Sequence, residues 1–381
     1  MALRHHLAPG ARSDDVVAIA GGLAGLHATD PATIVLAAQA RMDGAALPAV
    51  EAALYEDRSL VRMLGMRRTM FVVPLELAPV VHASTTRGLV PGERKRFIAM
   101  LEQGGVAPDG PRWLAETEQA TLAALTARGE ASAAQLSQDV PALKAKIAVA
   151  QDKPYAAMQG VSSKVLFLLA ADGHIVRGRP LGSWTSTLHR WAPIQTSLPG
   201  GMPELDTDAA AAELVRRWLS AFGPGTIADL RWWTGWTAGL LKRALAQLHT
   251  VEVALDGGGA GLVLAGDDEP VEAPAPWAAL LPGLDPTAMG WKQRDWYLGE
   301  HRAALFDRSG NIGPTVWWDG RIVGGWAQRE DGELAVRLLE DPGADGVTAI
   351  DAEVARLRGQ LGDLRVTPRF RTPLERELAA G

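Results

Sequence analysis

Three times along this chain the same local order recurs: a helix, a tight link, one or two further helices, and then a pair of strands. In the first passage Ser13-Asp14-Asp15 signals a helix start for VVAIAGGLAGL and predicts a helix over 14–25. His27-Ala28-Thr29 links it to a second helix over 31–42. Asp30 caps that helix, and Pro31 holds its first position, where the missing N–H costs nothing. LPAVEAALYED (47–57) places Leu47, Val50 and Leu54 on one face of a third helix. LVRMLG and RRTMFVVP read as strands, the second ended by Pro74. In the second passage WLAETEQATLAALTARG is a helix stopped at Gly129. ASAAQLSQDVPAL and the segment to about 150 read as two short helices broken at Pro141. SSKVLFLLAADG reads as a buried helix or strand, and HIVRGRP with SWTSTLHRW as a hairpin. The third passage runs from an amphipathic helix in 201–223 through two helices separated by Gly235 to strands on either side of DGGGAG.

Helices followed by a hairpin, in this order, are the pattern of a winged helix, which sets one helix in a groove and a wing beside it. After residue 276 the texture changes to alternating strands with Asp-Gly turns at 319–320 and 331–332, a strong hairpin signal. The expected fold class is therefore α+β, with three tandem winged-helix motifs followed by a small C-terminal antiparallel β-barrel-like module. The boundaries read 1–110, 111–200, 201–275 and 276–381. The alternative is a generic mixed α+β protein of short elements. Ten of the 13 tryptophans lie beyond residue 200, and Trp317, Trp318 and Trp326, on alternating strands, read as core.

With no cysteine among 381 residues, disulfides, thiolate zinc sites and iron–sulfur clusters are excluded. The eight histidines are scattered, so neither a metal nor a cofactor is expected. No apolar run reaches the length of a membrane span, and MALRHHLAPGARSDD lacks the apolar core of a signal peptide, which points to a cytoplasmic protein. The net charge of −6 hides an asymmetry: residues 1–200 carry 20 basic against 17 acidic groups, and 201–381 carry 18 against 27. Basic clusters stand out locally at Arg62, Arg67 and Arg68, at Arg94, Lys95 and Arg96, and at Arg177 and Arg179.

GLHATDPATIVLAAQARM, YEDRSLVRMLGMRRTMFVVP, FGPGTIADLRWWTGW, LLPGLDPTAMGWKQRDW and WWDGRIVGGW occur in one order across nearly the full chain. On these stretches the sequence resembles the AlkZ/YcaQ-type winged-helix DNA glycosylases. The resemblance implies excision of alkylated purines, bulky adducts and crosslinks included, from double-stranded DNA, with no protein partner and no membrane. It also implies that the link between the first two helices is the catalytic turn. Where the family carries Gln-x-Gln or Gln-x-Asp, this chain has His27 and Thr29. Where the family's first wing reads RGTLH, this chain reads RRTMF, with Arg68 for the glycine and Phe71 for the histidine. Arg41, two turns into the second helix, joins the arginines and Lys95 as a DNA-contact candidate.

His27 and Thr29 are chemically suited to the implied reaction. An N7- or N3-alkylated purine already carries positive charge and leaves as a neutral base, so the protein has only to orient and polarise a water. Glutamine does this by hydrogen bonding. A neutral imidazole does the same and, with an ordinary pKa of about 6.5, can also accept the proton. Two other readings stand beside this one. A histidine at a helix C-terminus can simply answer the helix dipole while Thr29 completes a cap. The whole protein can also be a non-catalytic winged-helix DNA binder, either a regulator or a damage binder, or a protein that sequesters a free genotoxin.

Overall fold

The link between the first two helices is shaped by a glycine. Asp15 caps α1 (Val16–Gly22), its carboxylate accepting from the N–H groups of Val17 and Ala18. At Gly25 the backbone takes φ 113°, and a Cβ there would lie 2.9 Å from Val73 Cγ1. Only glycine combines that dihedral with so close an approach. The chain leaves this turn as a short strand, β1 (Leu26–His27), and enters α2 (Pro31–Gln39), where Asp30 accepts from the Ala32 N–H. Helix α3 (Ala46–Glu51) and the hairpin β2 (Leu60–Leu64) and β3 (Met70–Pro74) complete the unit, and β1 pairs antiparallel with β3 in the order β1-β3-β2. Helices α4 (Ala78–Val81) and α5 (Val90–Gln103) follow in a stretch where the sequence analysis assigned no element.

The computed structural model describes residues 1–149, 157–269 and 271–381. Its second passage repeats the first: α6 (Gly110–Arg128), a two-residue strand β4 (Ala131–Ser132), then α7 (Ala133–Asp139) behind a Ser132–Gln135 capping box. The second of the short helices expected to 150 is a 3₁₀ turn at Pro141–Lys144, and an inserted hairpin of β5 (Lys146–Val149) and β6 (Ala157–Gly160) follows it. Residues 150–156 of this passage lie outside the described residues. SSKVLFLLAADG is a helix, α8 (Ser162–Ala171), and β7 (Ile175–Pro180) pairs with β8 (His189–Pro193) in a sheet of order β4-β8-β7. The third passage has α9 (Thr207–Phe222), α10 (Ile227–Thr234), α11 (Ala238–Leu245), β9 (Thr250–Ala254) and β10 (Ala260–Leu264). A single bridge from Gly225 to Leu262 takes the place of its short strand. In all three, the link after the first helix pairs with the second strand of the hairpin.

The C-terminal part starts with β11 (Ala278–Leu281) and three one-turn helices, α12 (Pro286–Met289), α13 (Asp295–Leu298) and α14 (Arg302–Leu305). Strands β12 (Thr315–Trp318), β13 (Arg321–Gln328) and β14 (Leu334–Leu338) then extend β11 into an open sheet in sequence order. Asp319 and Gly320, both at positive φ, make the tight turn that the Asp-Gly pair predicts. No barrel closes. Helices α15 (Gly343–Leu361) and α16 (Pro373–Ala380) pack on the sheet and cover apolar surface that closure would otherwise have to hide. Trp317 and Trp326 are buried in separate apolar clusters, and the Trp326 indole donates to Leu281 O at 2.9 Å.

Packing groups the passages unequally. One large core joins the first passage, the third and much of the C-terminal sheet, whereas residues from Val90 to Trp191 pack in a core of their own. Among the described residues no helix is long and apolar enough to cross a membrane, and no His/Cys/Asp/Glu group is placed to hold a metal.

Candidate functional site

His27 stands on β1 directly across from Phe71 of β3, their ring centroids 5.3 Å apart. One substituted residue from each of the two family motifs, His27 and Phe71, thus meets the other as a cross-strand pair. Only 4% of His27 is exposed. Its Nδ1 lies 3.5 Å from the Thr29 nitrogen, a long contact that favours Nδ1 as acceptor, and the residue lines a cavity beyond. Burial, followed by the charge of Arg67, lowers the imidazole pKa to about 3. At neutral pH this group is therefore uncharged, and a far weaker base than an ordinary histidine.

The cavity at His27 has a volume of about 510 Å³. Arg67, Lys292, Arg294 and Arg302 line it with Trp232, Ser309 and Asn311, and among the described residues no lining side chain is acidic. Arg67 sits in the turn between β2 and β3 at φ 51°, where Gly235, the left-handed end of α10, packs against its backbone. Its guanidinium lies 3.9 Å from the centre of the Trp232 ring, and that of Arg294 lies 4.5 Å from the same centre. Burial and the neighbouring Arg294 charge lower the Arg67 pKa to about 10.

Thr29 opens on the other side of the turn. Its Oγ1 accepts from the Met70 N–H at 3.3 Å, and it lines a second cavity of about 260 Å³ between the first and second passages. Met63, Met70, Phe167, Trp191 and Met202 give that cavity an apolar wall, with Arg62 and Arg177 at its polar side. Arg62 is buried and donates to Ala28 O at 2.7 Å, bracing the turn from behind. Burial, then the charges of Arg62 and Arg369, lowers Arg177 to about 10. The structure thus holds His27 and Thr29 in one turn but faces them into different cavities, each with its own group of cations.

The other basic residues named from the sequence divide three ways. Arg41 is wholly enclosed, its guanidinium donating to both carboxylate oxygens of Asp285 at 2.7 and 2.8 Å and to His5 O, Ala37 O and Thr287 Oγ1. It ties α2 to the C-terminal part and is removed from any DNA surface. Arg94 is held by Glu118 and Asp172 at 2.7 and 2.6 Å, Arg179 lies 3.6 Å from Glu51 and 3.3 Å from Glu56, and Arg68 and Arg96 share Glu93. Lys95 points into solvent on α5. Sequence reasoning singled out none of Lys292, Arg294, Arg302 or Arg369. Lys292 and Arg294 lie inside the quoted stretch GWKQRDW, but nothing in its spacing told which way they face.

The depressed histidine predicts a pH effect on stability. The unfolded imidazole titrates near 6.5 and the folded one near 3, so as pH falls below 6.5 the unfolded chain binds the proton first. Stability present above that pH is lost on acidification, at about 1.4 kcal/mol per pH unit for this one group. Urea unfolding of His27→Gln between pH 6 and 4 is expected to show a shallower acid loss by that slope, and equal slopes would remove the assignment.

A family model described as DNA glycosylase AlkZ-like matches residues 20–359. The interstrand DNA cross-link repair glycosylase of Streptomyces sahachiroi is 32% identical over 180 residues, which cover 45% of this chain and 47% of that protein. The chain thus spans about half the length of the curated relative it matches. The solved structure of the Streptomyces sahachiroi DNA glycosylase AlkZ superposes with a TM-score of 0.72 at 23% identity, over 94% of this chain and 95% of that one. Such a likeness establishes a common fold, and the family model spans the turn, both cavities' main residues and the three repeated passages from the middle of α1 onward. The chain belongs to the AlkZ-like DNA glycosylase family.

Proposed function

We propose that the protein is a monofunctional DNA glycosylase that hydrolyses the N-glycosidic bond of alkylated or bulky-adduct purines in duplex DNA, with His27 and Thr29 as its catalytic pair. Family membership supports the reaction class, and the name of the Streptomyces relative, an interstrand DNA cross-link repair glycosylase, supports bulky adducts as substrates. The observation that carries the site is the placement of the His27–Thr29 turn between two cation-lined cavities. The three repeated passages act as winged helices in this reading. Its support is the pairing of each first link with the second hairpin strand, an arrangement common to all three.

In the reaction a water adds to the anomeric carbon as the cationic purine leaves neutral, and the proton released goes to solvent. His27, held uncharged, contributes a hydrogen bond that positions the water and does not take its proton. That revises the expectation drawn from an ordinary histidine pKa. Thr29 Oγ1, on the other side of the turn, accepts from the Met70 N–H and presents its remaining polar capacity to the second cavity. Arg62, Arg177 and Arg369 on one side, and Arg67, Lys292, Arg294 and Arg302 on the other, give the DNA backbone places to bind.

A single-turnover assay tests this. Duplexes carrying N7-methylguanine, or a bulky N7-guanine adduct, are incubated with the protein and treated with alkali to cut abasic sites. Strand cutting above the protein-free rate is expected for at least one of them. The second reading, a DNA binder without chemistry, draws on Thr29 being turned toward the other cavity and already bonded to Met70. Tight binding with no excision of any cationic purine adduct would establish it in place of the first.

A further inference from the structure

Four features of the His27 cavity belong together. Arg67 and Arg294 are held close to the same Trp232 ring, although their like charges repel and burial lowers both of their pKa values. Among the described residues no acidic side chain lines the space, and the Asp229 carboxylate that favours the Arg294 charge from outside it already accepts from the Thr226 hydroxyl and the Lys292 and Gln293 N–H groups. Arg67 Nε is a buried donor with no acceptor among the described residues, a condition that normally costs about 1–3 kcal/mol. Its backbone is also in the left-handed region, which an arginine enters only at a further cost of about 1–3 kcal/mol. An arginine with one unmatched donor and a strained backbone, gathered with other cations in one cavity, marks a site completed by an anion. Guanidinium forks match the oxygens of a phosphate, and the exposed Lys292 and Arg302 extend the positive rim outward.

We propose that the cavity beside His27 is a phosphate-binding pocket, and that in the DNA complex it holds one internucleotide phosphate next to the turn. The second half of this statement rests on the DNA reading above; the anion site itself does not. The charge set repels a cationic purine, so the pocket takes backbone and the adducted base lies elsewhere. A phosphate seated here would also offset the Arg67 charge that bears on His27.

The test uses the full chain and two probes. The first is duplex DNA in which a single neutral methylphosphonate linkage is walked along each strand; the second is inorganic phosphate. The variant is Lys292→Gln/Arg302→Gln, two exposed side chains whose loss leaves the core intact. One linkage is expected to weaken wild-type binding about tenfold when neutralised, and the variant by less than about twofold. The slope of log affinity against log salt is expected to be shallower by about one in the variant. Inorganic phosphate is expected to raise the thermal midpoint of the wild type more than that of the variant. Phosphate stabilisation without any sensitive linkage would assign the pocket to a free phosphate and overturn its DNA role. Equal linkage sensitivity in both proteins, or no response to either probe, overturns the pocket itself. Excision is read separately on the same duplexes, so failure of the glycosylase reading with the linkage effect intact is distinguishable.

Discussion

Replacing Arg41 by methionine is expected to lower the free energy of unfolding by about 3–5 kcal/mol, the usual consequence of removing one member of a buried ion pair. Asp285 would remain at 0% exposure with its partner gone, its carboxylate held only by the Thr287 N–H at the start of α12. His5 O, Ala37 O and the Thr287 hydroxyl would lose donors in the same step. Adding Asp285→Asn is expected to recover part of the loss, because an uncharged amide is cheaper to leave unpaired than a carboxylate. Urea unfolding of the single and double variants measures both effects. A loss below about 1 kcal/mol would show that the pair contributes no more than a surface salt bridge.

The second large effect is on chemistry. His27→Ala is expected to lower the single-turnover excision rate by about 10²-fold, the scale on which misplacing a reactant acts. His27→Gln is expected to stay within about tenfold of wild type. A histidine whose pKa lies near 3 works at neutral pH only as a hydrogen-bonding group, and a glutamine amide can do the same. If instead both variants fall equally and the rate of wild type rises through a pKa near 6.5, His27 takes the proton and the hydrogen-bonding account is wrong. Full activity in His27→Ala would remove the turn from the chemistry altogether.

These two residues show how far local sequence carries. The turn was legible at His27 because Gly25, Asp30 and Pro31 act within a few residues of it: a left-handed glycine, a cap and a first-turn proline each leave a local signature. Its chemical character was not legible. The ordinary imidazole pKa gave a general base, whereas enclosure by Phe71 and the approach of Arg67, forty residues away in the chain, remove that capacity. Arg41 fared similarly. As a charged residue on a helix it read as a surface group, but the acceptor that decides its role is Asp285, 244 positions later.

The repeated order of helices and hairpin survived into the structure because hydrophobic period, caps and turn residues are short-range properties. The barrel-like module did not, because the Asp-Gly turns set strand pairing but say nothing of whether β11 and β14 meet. α15 and α16, which were not read from the sequence, cover the sheet instead. By itself the sequence determined most element types within the three repeated units, their order, the position of the candidate turn and the resemblance to a family. Tertiary structure alone decided which arginines are enclosed, which are paired, and which gather unmatched at Trp232, because charge pairing and desolvation depend on distances between residues that the chain brings together only on folding.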